Sequence, residues 1–134
     1  MCLIIDNNVT GDLLGGRDYI DPVRKYIRDG GNLIVSDVLI MEYPYRMQNL
    51  VNELLRQKRV HYFRNGKLRV DVEREMVSDD WHVIDLVQRS KARVVCTRDN
   101  NLTIDLKNPK IVHNPRCRVY RHQGAKDLLV GCCP

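Results

Sequence analysis

The sequence has no long apolar stretch, and this absence bears on the expected cellular location of the protein. No segment approaches the roughly 20 apolar residues that a membrane-spanning helix needs. Residues 3–5 are too short for the hydrophobic part of a signal peptide, and no positively charged segment precedes them. We therefore expect a cytoplasmic protein without a membrane partner. Its 134 residues are enough for a single domain, 1–134, with one core.

Two kinds of sequence motif are also missing. The five cysteines show no zinc-like pairing, and we expect Cys2 and Cys96 to be core residues. Cys132 and Cys133 could bind a soft metal, but a frayed tail in a reducing compartment is the favoured interpretation. No phosphate-binding loop of the form G-x-x-x-x-G-K-[ST] occurs, which disfavours a nucleoside triphosphatase of that class.

Positive charge is concentrated in two parts of the chain, residues 56–69 and 116–126, within a net charge of +5. The second part belongs to a basic C-terminal extension, residues 113–134. Such surfaces suit a polyanion such as nucleic acid, although ordinary solvated charge explains the composition equally well. The candidate RNA-binding residues are Arg64, Lys67, Arg69, Arg118 and Arg121.

Short apolar runs alternate with segments whose apolar residues recur at helical spacing. This alternation predicts an α/β fold, a three-layer sandwich in which helices flank a central parallel β-sheet. Asn65-Gly66, within residues 60–71, is a strong turn signal and predicts a small β-hairpin insertion. That hairpin would be either a nucleic-acid contact or a plain decoration. The predicted core strands include residues 2–5, 32–35, 93–96 and, as the last core strand, 111–112, and residues 118–120 are a candidate for a further strand in the tail.

Two acids follow buried apolar runs. Asp6 ends the run of residues 2–5, and Asp99 follows the run of residues 94–96 after two intervening residues. The carboxyl ends of parallel strands form the edge at which open α/β sheets bind ligands. If these two strands are neighbours, both carboxylates lie in one crevice.

Two further acids lie among apolar residues of predicted helices. Glu42 shares a face with Val38 and Leu39. Asp80 falls on the apolar stripe of a helix that Ser78 is expected to cap, whereas Asp79 lies at the edge of that stripe. His82 and Asp85 fall on the opposite, polar face, so we expect His82 to be a solvated surface histidine.

These four acids are predicted to converge, and like charges at close range repel. A divalent cation resolves such repulsion, and oxygen ligands without a His or Cys cluster suit Mg²⁺ or Mn²⁺. Such an ion activates water and stabilises the charge that develops on a phosphodiester.

The motifs resemble those of the PIN-domain (VapC-like) ribonuclease family in order and spacing. The matching segments are IIDNNV, SDVLIMEY and SDDWHVIDLVQRSKARVVCTRDNNLTIDLKN, which cover roughly residues 1–112. The resemblance implies a PIN-like fold with Asp6, Glu42, Asp80 and Asp99 as catalytic acids, of which Asp6, Asp80 and Asp99 bind the metal. It also implies supporting roles for Asn8 and Thr97. Asp79 competes with Asp80 for the third position, and Asp105 is a candidate additional acid.

The resemblance implies a Mg²⁺- or Mn²⁺-dependent endoribonuclease that leaves 5′-phosphate and 3′-hydroxyl ends. Many members are toxins restrained by an antitoxin, and others process RNA, so the implied partners are RNA and a cognate antitoxin or other regulatory protein. The apolar helices over residues 38–55 suggest a homodimer or partner surface. The alternatives are a catalytically silent PIN-like module that binds RNA or protein, and a metal-free ribonuclease using His82 and His61. A phosphohydrolase with a D-x-D motif is disfavoured, because the corresponding residues are Asp6-Asn7-Asn8.

Overall fold

The computed structural model describes residues 3–130, and its centre is a five-stranded sheet in the order β3-β2-β1-β4-β5. All neighbouring strands run parallel, with Leu3 of β1 opposite both Leu33 and Val94. The predicted α/β sandwich around a central parallel sheet is therefore confirmed. The strands are β1 (Leu3–Ile5), β2 (Leu33–Ser36), β3 (Val60–Phe63), β4 (Val94–Cys96) and β5 (Arg118–Tyr120).

Helices connect the strands, and local chemistry sets several of their ends. Ser36 caps the third helix by accepting a hydrogen bond from the backbone N–H of Leu39 (3.1 Å). Pro44 separates the third helix from the fourth, because a residue before proline is disfavoured in helical conformation, and Tyr43 is extended. The helices are α1 (Thr10–Gly15), α2 (Asp21–Arg28), α3 (Asp37–Glu42), α4 (Tyr45–Arg56), α5 (Val70–Glu75), α6 (Trp81–Ser90) and α7 (Asn100–Lys107). In residues 3–130, no helix is long and apolar enough to cross a membrane.

The central strands are covered on both faces. Leu3, Ile4 and Ile5 are each 0% exposed, and successive side chains of a strand point to opposite sides of the sheet. Both faces of β1 are therefore packed against other elements, as in parallel sheets with helices on each side.

The order of the strands creates a crevice at a defined place. From β1 the chain continues to β2 and β3 on one side of the sheet, then crosses to β4 and β5 on the other. The direction of winding reverses between β1 and β4, and ligands of open parallel sheets bind outside the carboxyl ends of strands at such a reversal.

The predicted β-hairpin over residues 60–71 is wrong. β3 pairs in parallel with β2, and residues 70–75 form α5. Instead of forming a turn between strands, the Gly66 N–H and the Asn65 side-chain amide both donate to Asp85 Oδ2, each at 2.9 Å. Asn65 and Gly66 thus pack on α6, and the Asp85 carboxylate accepts their hydrogen bonds in place of a second hairpin strand.

The predicted last strand at residues 111–112 is also wrong. The N–H groups of Ile111 and Val112 both donate to the carbonyl of Asn108 at 2.9 Å, so this buried segment is a turn. The basic C-terminal extension supplies the fifth strand, β5, and then a 3₁₀ helix, Gln123–Leu129. Of the cysteine predictions, those for Cys2, Cys132 and Cys133 lie outside the described residues, and Cys96 is a buried core residue as predicted.

Candidate active site

Asp6 lies at the carboxyl end of β1, inside the crevice between β1 and β4. Its backbone N–H donates to the Cys96 carbonyl (2.9 Å), which extends the pairing of the two strands by one step. The residue is 5% exposed, and its Oδ2 accepts a hydrogen bond from Thr97 Oγ1 (2.7 Å). Burial raises the pKa of Asp6, and the charge of Asp99 adds to this, whereas the Thr97 hydrogen bond opposes it.

Thr97 joins the loops that follow β1 and β4. Its side chain is fully buried; Oγ1 accepts the Asp99 N–H (3.1 Å) and lies 3.2 Å from Asn8 Oδ1. Asn8 Oδ1 also accepts the Arg98 N–H at 3.5 Å. Of the two predicted supporting residues, Thr97 therefore contacts the Asp6 carboxylate directly, whereas Asn8 contacts Thr97 and the Arg98 backbone.

Asp99 has a structural role of its own. It precedes α7, and its Oδ1 caps that helix by accepting the Leu102 N–H at 2.9 Å. The side chain is partly buried and its charge acts on Asp6 and Asp80. One carboxylate oxygen of Asp99 is thus used by the fold to cap α7.

Asp80 stands at the N-cap position of α6, but its side chain makes no capping hydrogen bond. The helix begins at Trp81, so the expected cap at Ser78 is wrong; the Ser78 hydroxyl instead donates to Asp105 Oδ2 (2.6 Å). Burial raises the pKa of Asp80 to about 6, and the next contributions are the charges of Asp6, Asp99, Glu42 and Asp79. Asp79 itself is exposed, which agrees with the preference for Asp80.

Glu42 and His82 exchange their predicted environments. The Glu42 side chain is 43% exposed at the end of α3, whereas that of His82 is only 4% exposed, and His82 Nε2 lies 3.1 Å from Glu42 Oε1. The predictions of a buried Glu42 and a solvated His82 are wrong. Tyr43 takes the buried position beside Glu42, and its hydroxyl donates to the Ile5 carbonyl.

The error in α6 has a physical reason. This helix packs against β2, β3 and α3 together, so its buried surface is wider than one stripe. Every residue from 82 to 87 is buried, including Asp85, which was predicted on the polar face. Asp85 is satisfied by Asn65, Gly66 and Arg89, whose Nε donates to Asp85 Oδ1 (2.9 Å).

Asp105 is not an additional acid of the crevice. It is 0% exposed, and its carboxylate accepts the backbone N–H groups of Val77 (2.9 Å) and Ser78 (3.0 Å) as well as the Ser78 hydroxyl. A buried carboxylate with three donors is fully satisfied. Asp105 therefore fixes the segment that leads into Asp79 and Asp80.

The predicted RNA-binding residues are spread over the surface. Arg121 is hydrogen-bonded to both sequence neighbours of Asp99. Its Nη2 donates to the Arg98 carbonyl (3.1 Å) and to Asn100 Oδ1 (2.7 Å). Arg118 pairs with Val94 at the amino end of the strands, away from Asp6.

The basic residues that follow β3 differ among themselves. Arg64 comes directly after β3. The hydrogen bond from the Asn65 backbone N–H is the main cause that lowers the pKa of Asp37, and the charge of Arg64 makes a smaller contribution in the same direction. Lys67 is exposed, and Arg69 forms an exposed ion pair with Asp71 (2.6 Å). An RNA phosphate would have to compete with Asp71 for Arg69.

Arg98 is a basic residue of the crevice that sequence reasoning missed. It lies between Thr97 and Asp99, is exposed, and holds its guanidinium 4.6 Å from the centre of the Tyr19 ring. Its position directly before the T-x-D acid was the available signal.

The donor set of the crevice consists of carboxylate and amide oxygens. Within the described residues 3–130, no group of three or more His, Cys, Asp or Glu side chains is placed to hold a metal ion together. Comparison with family models, curated proteins and solved structures found no match to this chain.

Proposed function

We propose that this chain is a PIN-like, Mg²⁺- or Mn²⁺-dependent endoribonuclease that hydrolyses phosphodiester bonds in single-stranded or structured RNA. One observation carries the proposal: besides burial, the charges of Asp6, Asp99 and Glu42, which come from other segments of the chain, raise the pKa of Asp80. We call these four residues the acidic cluster. Gathering negative charge costs stability, and a polyanionic substrate would be repelled unless cations intervene.

The donors of the acidic cluster fit a hard divalent cation. They are carboxylate oxygens, and the nearest imidazole nitrogen, His82 Nε2, faces Glu42. Mg²⁺ commonly binds through one or two carboxylates, several waters and substrate phosphates, so a closed three-ligand cage is not required. We propose that Asp6, Asp80 and Asp99 hold the ion, some of them through its bound waters. When bound, it would supply a more acidic water and neutralise charge on the phosphodiester.

The chain's own residues orient this chemistry. Thr97 orients Asp6, Asn8 contacts Thr97, and Asp105 holds the segment that carries Asp80. Arg98 and Arg121 lie beside Asp99, where guanidinium groups can bind backbone phosphates.

The partner proposal rests on exposed apolar residues of α3 and α4. Most of the apolar stripe of α4 lies in the core, but Met41 (82% exposed), Tyr45 (76%) and Leu55 (52%) do not. We propose that they contact a second copy or a cognate antitoxin in a cytoplasmic toxin–antitoxin pair. Sedimentation of the chain and of its Met41→Glu variant tests the dimer, and an unchanged monomeric profile for both would contradict it.

A catalytically silent PIN-like module that binds RNA or protein is the second candidate. The observation in its favour is that Asp99 already has a helix-capping role, so an acid there can be explained by folding alone. A metal-free ribonuclease based on His82 is disfavoured, because that imidazole is buried and its Nε2 faces Glu42.

The test is cleavage of end-labelled single-stranded RNA with Mn²⁺, with and without chelator. We compare the wild type with Asp6→Asn, Asp80→Asn and the control Asp29→Asn, an exposed acid at the end of α2. We expect chelator-sensitive cleavage that leaves 5′-phosphate ends, unchanged in the control and reduced about 100-fold or more in the other two variants.

Other outcomes of the same assay separate the alternatives. Chelator-resistant cleavage with 2′,3′-cyclic phosphate ends would contradict the metal-dependent mechanism in favour of histidine chemistry. RNA binding without cleavage, together with no Mn²⁺ binding, would identify the silent module.

A further inference from the structure

We propose that His82 is a positioning residue that holds the carboxylate of Glu42 in the acidic cluster. The contact itself is independent of activity, whereas its consequence for catalysis rests on the proposed nuclease function. The sequence pattern placed His82 on the solvent-exposed face of its helix, so this role emerges only from the packing of α6 against α3.

The contact joins a buried group to an exposed one. His82 Nε2 and Glu42 Oε1 are 3.1 Å apart, with the two side chains 4% and 43% exposed. An exposed glutamate at the end of a six-residue helix has several rotamers of similar energy, and ordering it costs side-chain entropy. A fixed, buried donor removes this freedom by selecting one direction for the carboxylate.

The imidazole is itself held rigidly. Its ring packs edge-to-face with Trp81, with 5.8 Å between ring centres, and its backbone carbonyl accepts the Asn65 side-chain amide at 3.0 Å. Asn65 is in turn fixed by Asp85. The residues that failed to form the predicted hairpin therefore support the segment of α6 that carries His82.

The other ring nitrogen shows that packing alone does not explain a histidine here. Because a carboxylate only accepts, a hydrogen bond between the two groups requires the proton on Nε2. His82 Nδ1 is buried and has no hydrogen-bond partner among the described residues, and leaving such an atom unsatisfied costs stability. An apolar side chain would avoid this cost but would leave Glu42 without its donor.

A direct role as general acid or base requires contact with substrate. The His82 side chain is 4% exposed and its Nε2 already faces Glu42, so the imidazole acts through the carboxylate. Replacing a residue that hydrogen-bonds to a metal ligand and orients it commonly lowers metal affinity or activity 10- to 100-fold.

The first experiment tests the contact without any assay of function. Metal-free protein labelled with ¹⁵N-histidine contains four histidines, and ¹H–¹⁵N correlation spectra report which ring nitrogen of each is protonated. We expect protonated Nε2 at His82, and a change in its shifts in Glu42→Gln but not in the control Glu53→Gln, an exposed glutamate of α4. Protonation of His82 at Nδ1 alone, or spectra insensitive to Glu42→Gln, would overturn the proposal.

The second experiment tests the consequence by RNA cleavage, with folding checked by circular dichroism. In His82→Gln the amide nitrogen replaces Nε2, whereas His82→Leu removes the donor. We expect a 10- to 100-fold loss in His82→Leu, recovery to within about threefold in His82→Gln, and no further loss from His82→Leu in a Glu42→Gln background.

Two results would contradict this positioning role: equal losses in folded His82→Gln and His82→Leu, or losses that multiply with Glu42→Gln. Absence of cleavage in the wild type would refute the nuclease proposal, and the spectra would still decide the contact.

Discussion

The Asp80→Asn variant, studied without metal, is expected to be more stable than the wild type at pH 8. Burial and the charges of neighbouring acids raise the pKa of Asp80 from an ordinary 3.8 to about 6. A shift of this size means that the charged carboxylate is disfavoured in the fold by about 3 kcal/mol. Because the side chain is only partly buried, solvent screens its charge, and we expect the cost of the charged carboxylate to the free energy of unfolding to be roughly 1–1.5 kcal/mol.

The sign of the pH dependence follows from the raised pKa. Folded Asp80 binds its proton more tightly than the unfolded chain does, so protonation stabilises the wild type as the pH falls from above 6 towards 4. Asparagine carries no charge at any pH. The advantage of Asp80→Asn is therefore full at pH 8 and disappears near pH 4.

The assay is thermal unfolding in chelator at pH 8 and pH 4. For a chain of this size, 1 kcal/mol corresponds to about 3–5 °C in Tm, so we expect Asp80→Asn to gain roughly 4 °C at pH 8. The control is Asp79→Asn, because Asp79 is adjacent but exposed, and its change should stay within about 0.5 kcal/mol. A lower Tm for Asp80→Asn at pH 8, or the same difference at both pH values, would refute the electrostatic reasoning.

Three further outcomes are expected. Thr97→Val removes the hydrogen bond to buried Asp6 and should lower the free energy of unfolding by about 1.5–3 kcal/mol in urea titrations at pH 8; an unchanged midpoint would contradict that bond. Asp105→Asn leaves donors of residues 77–78 unmatched and should cost at least about 1–3 kcal/mol, with faster proteolysis between residues 76 and 80 than in wild type. Mn²⁺ at 100 times its Kd should stabilise the wild type by about 2.7 kcal/mol and Asp80→Asn by less; equal gains would place the ion elsewhere.

The convergence of Asp6 and Asp99 followed from the sequence because it depends on strands. Apolar runs too short for a helix define β1 and β4, and parallel strands present their carboxyl ends at the same edge. The hydrogen bonds of Thr97 to both loops are a consequence of this register. Apolar patterns and the rules of sheet topology were sufficient to place Asp6 and Asp99, because both acids lie within three residues of the apolar run that predicts their strand.

The helical acids were harder to place because a helical wheel assumes one buried face. α6 is covered by the sheet and by α3, so His82 and Asp85 became buried although they lie on its polar side. Asn65-Gly66 failed as a hairpin signal for a related reason, since its donors found Asp85 on α6. Both errors come from contacts with residues distant in sequence, and a pattern read over a few neighbouring residues carries no information about such contacts.

The four members of the acidic cluster differ in how the fold supports them. Thr97 holds Asp6, the α7 cap holds Asp99 and His82 holds Glu42, whereas Asp80 makes no capping bond at the helix end where an aspartate usually does. Asp80 is therefore the acid that folding explains least, and its raised pKa shows that its charge is unfavourable where it stands. Residues of this kind mark functional sites more often than structural ones. The case for a cation in the crevice is thus strongest at Asp80, which makes that residue the decisive one to change.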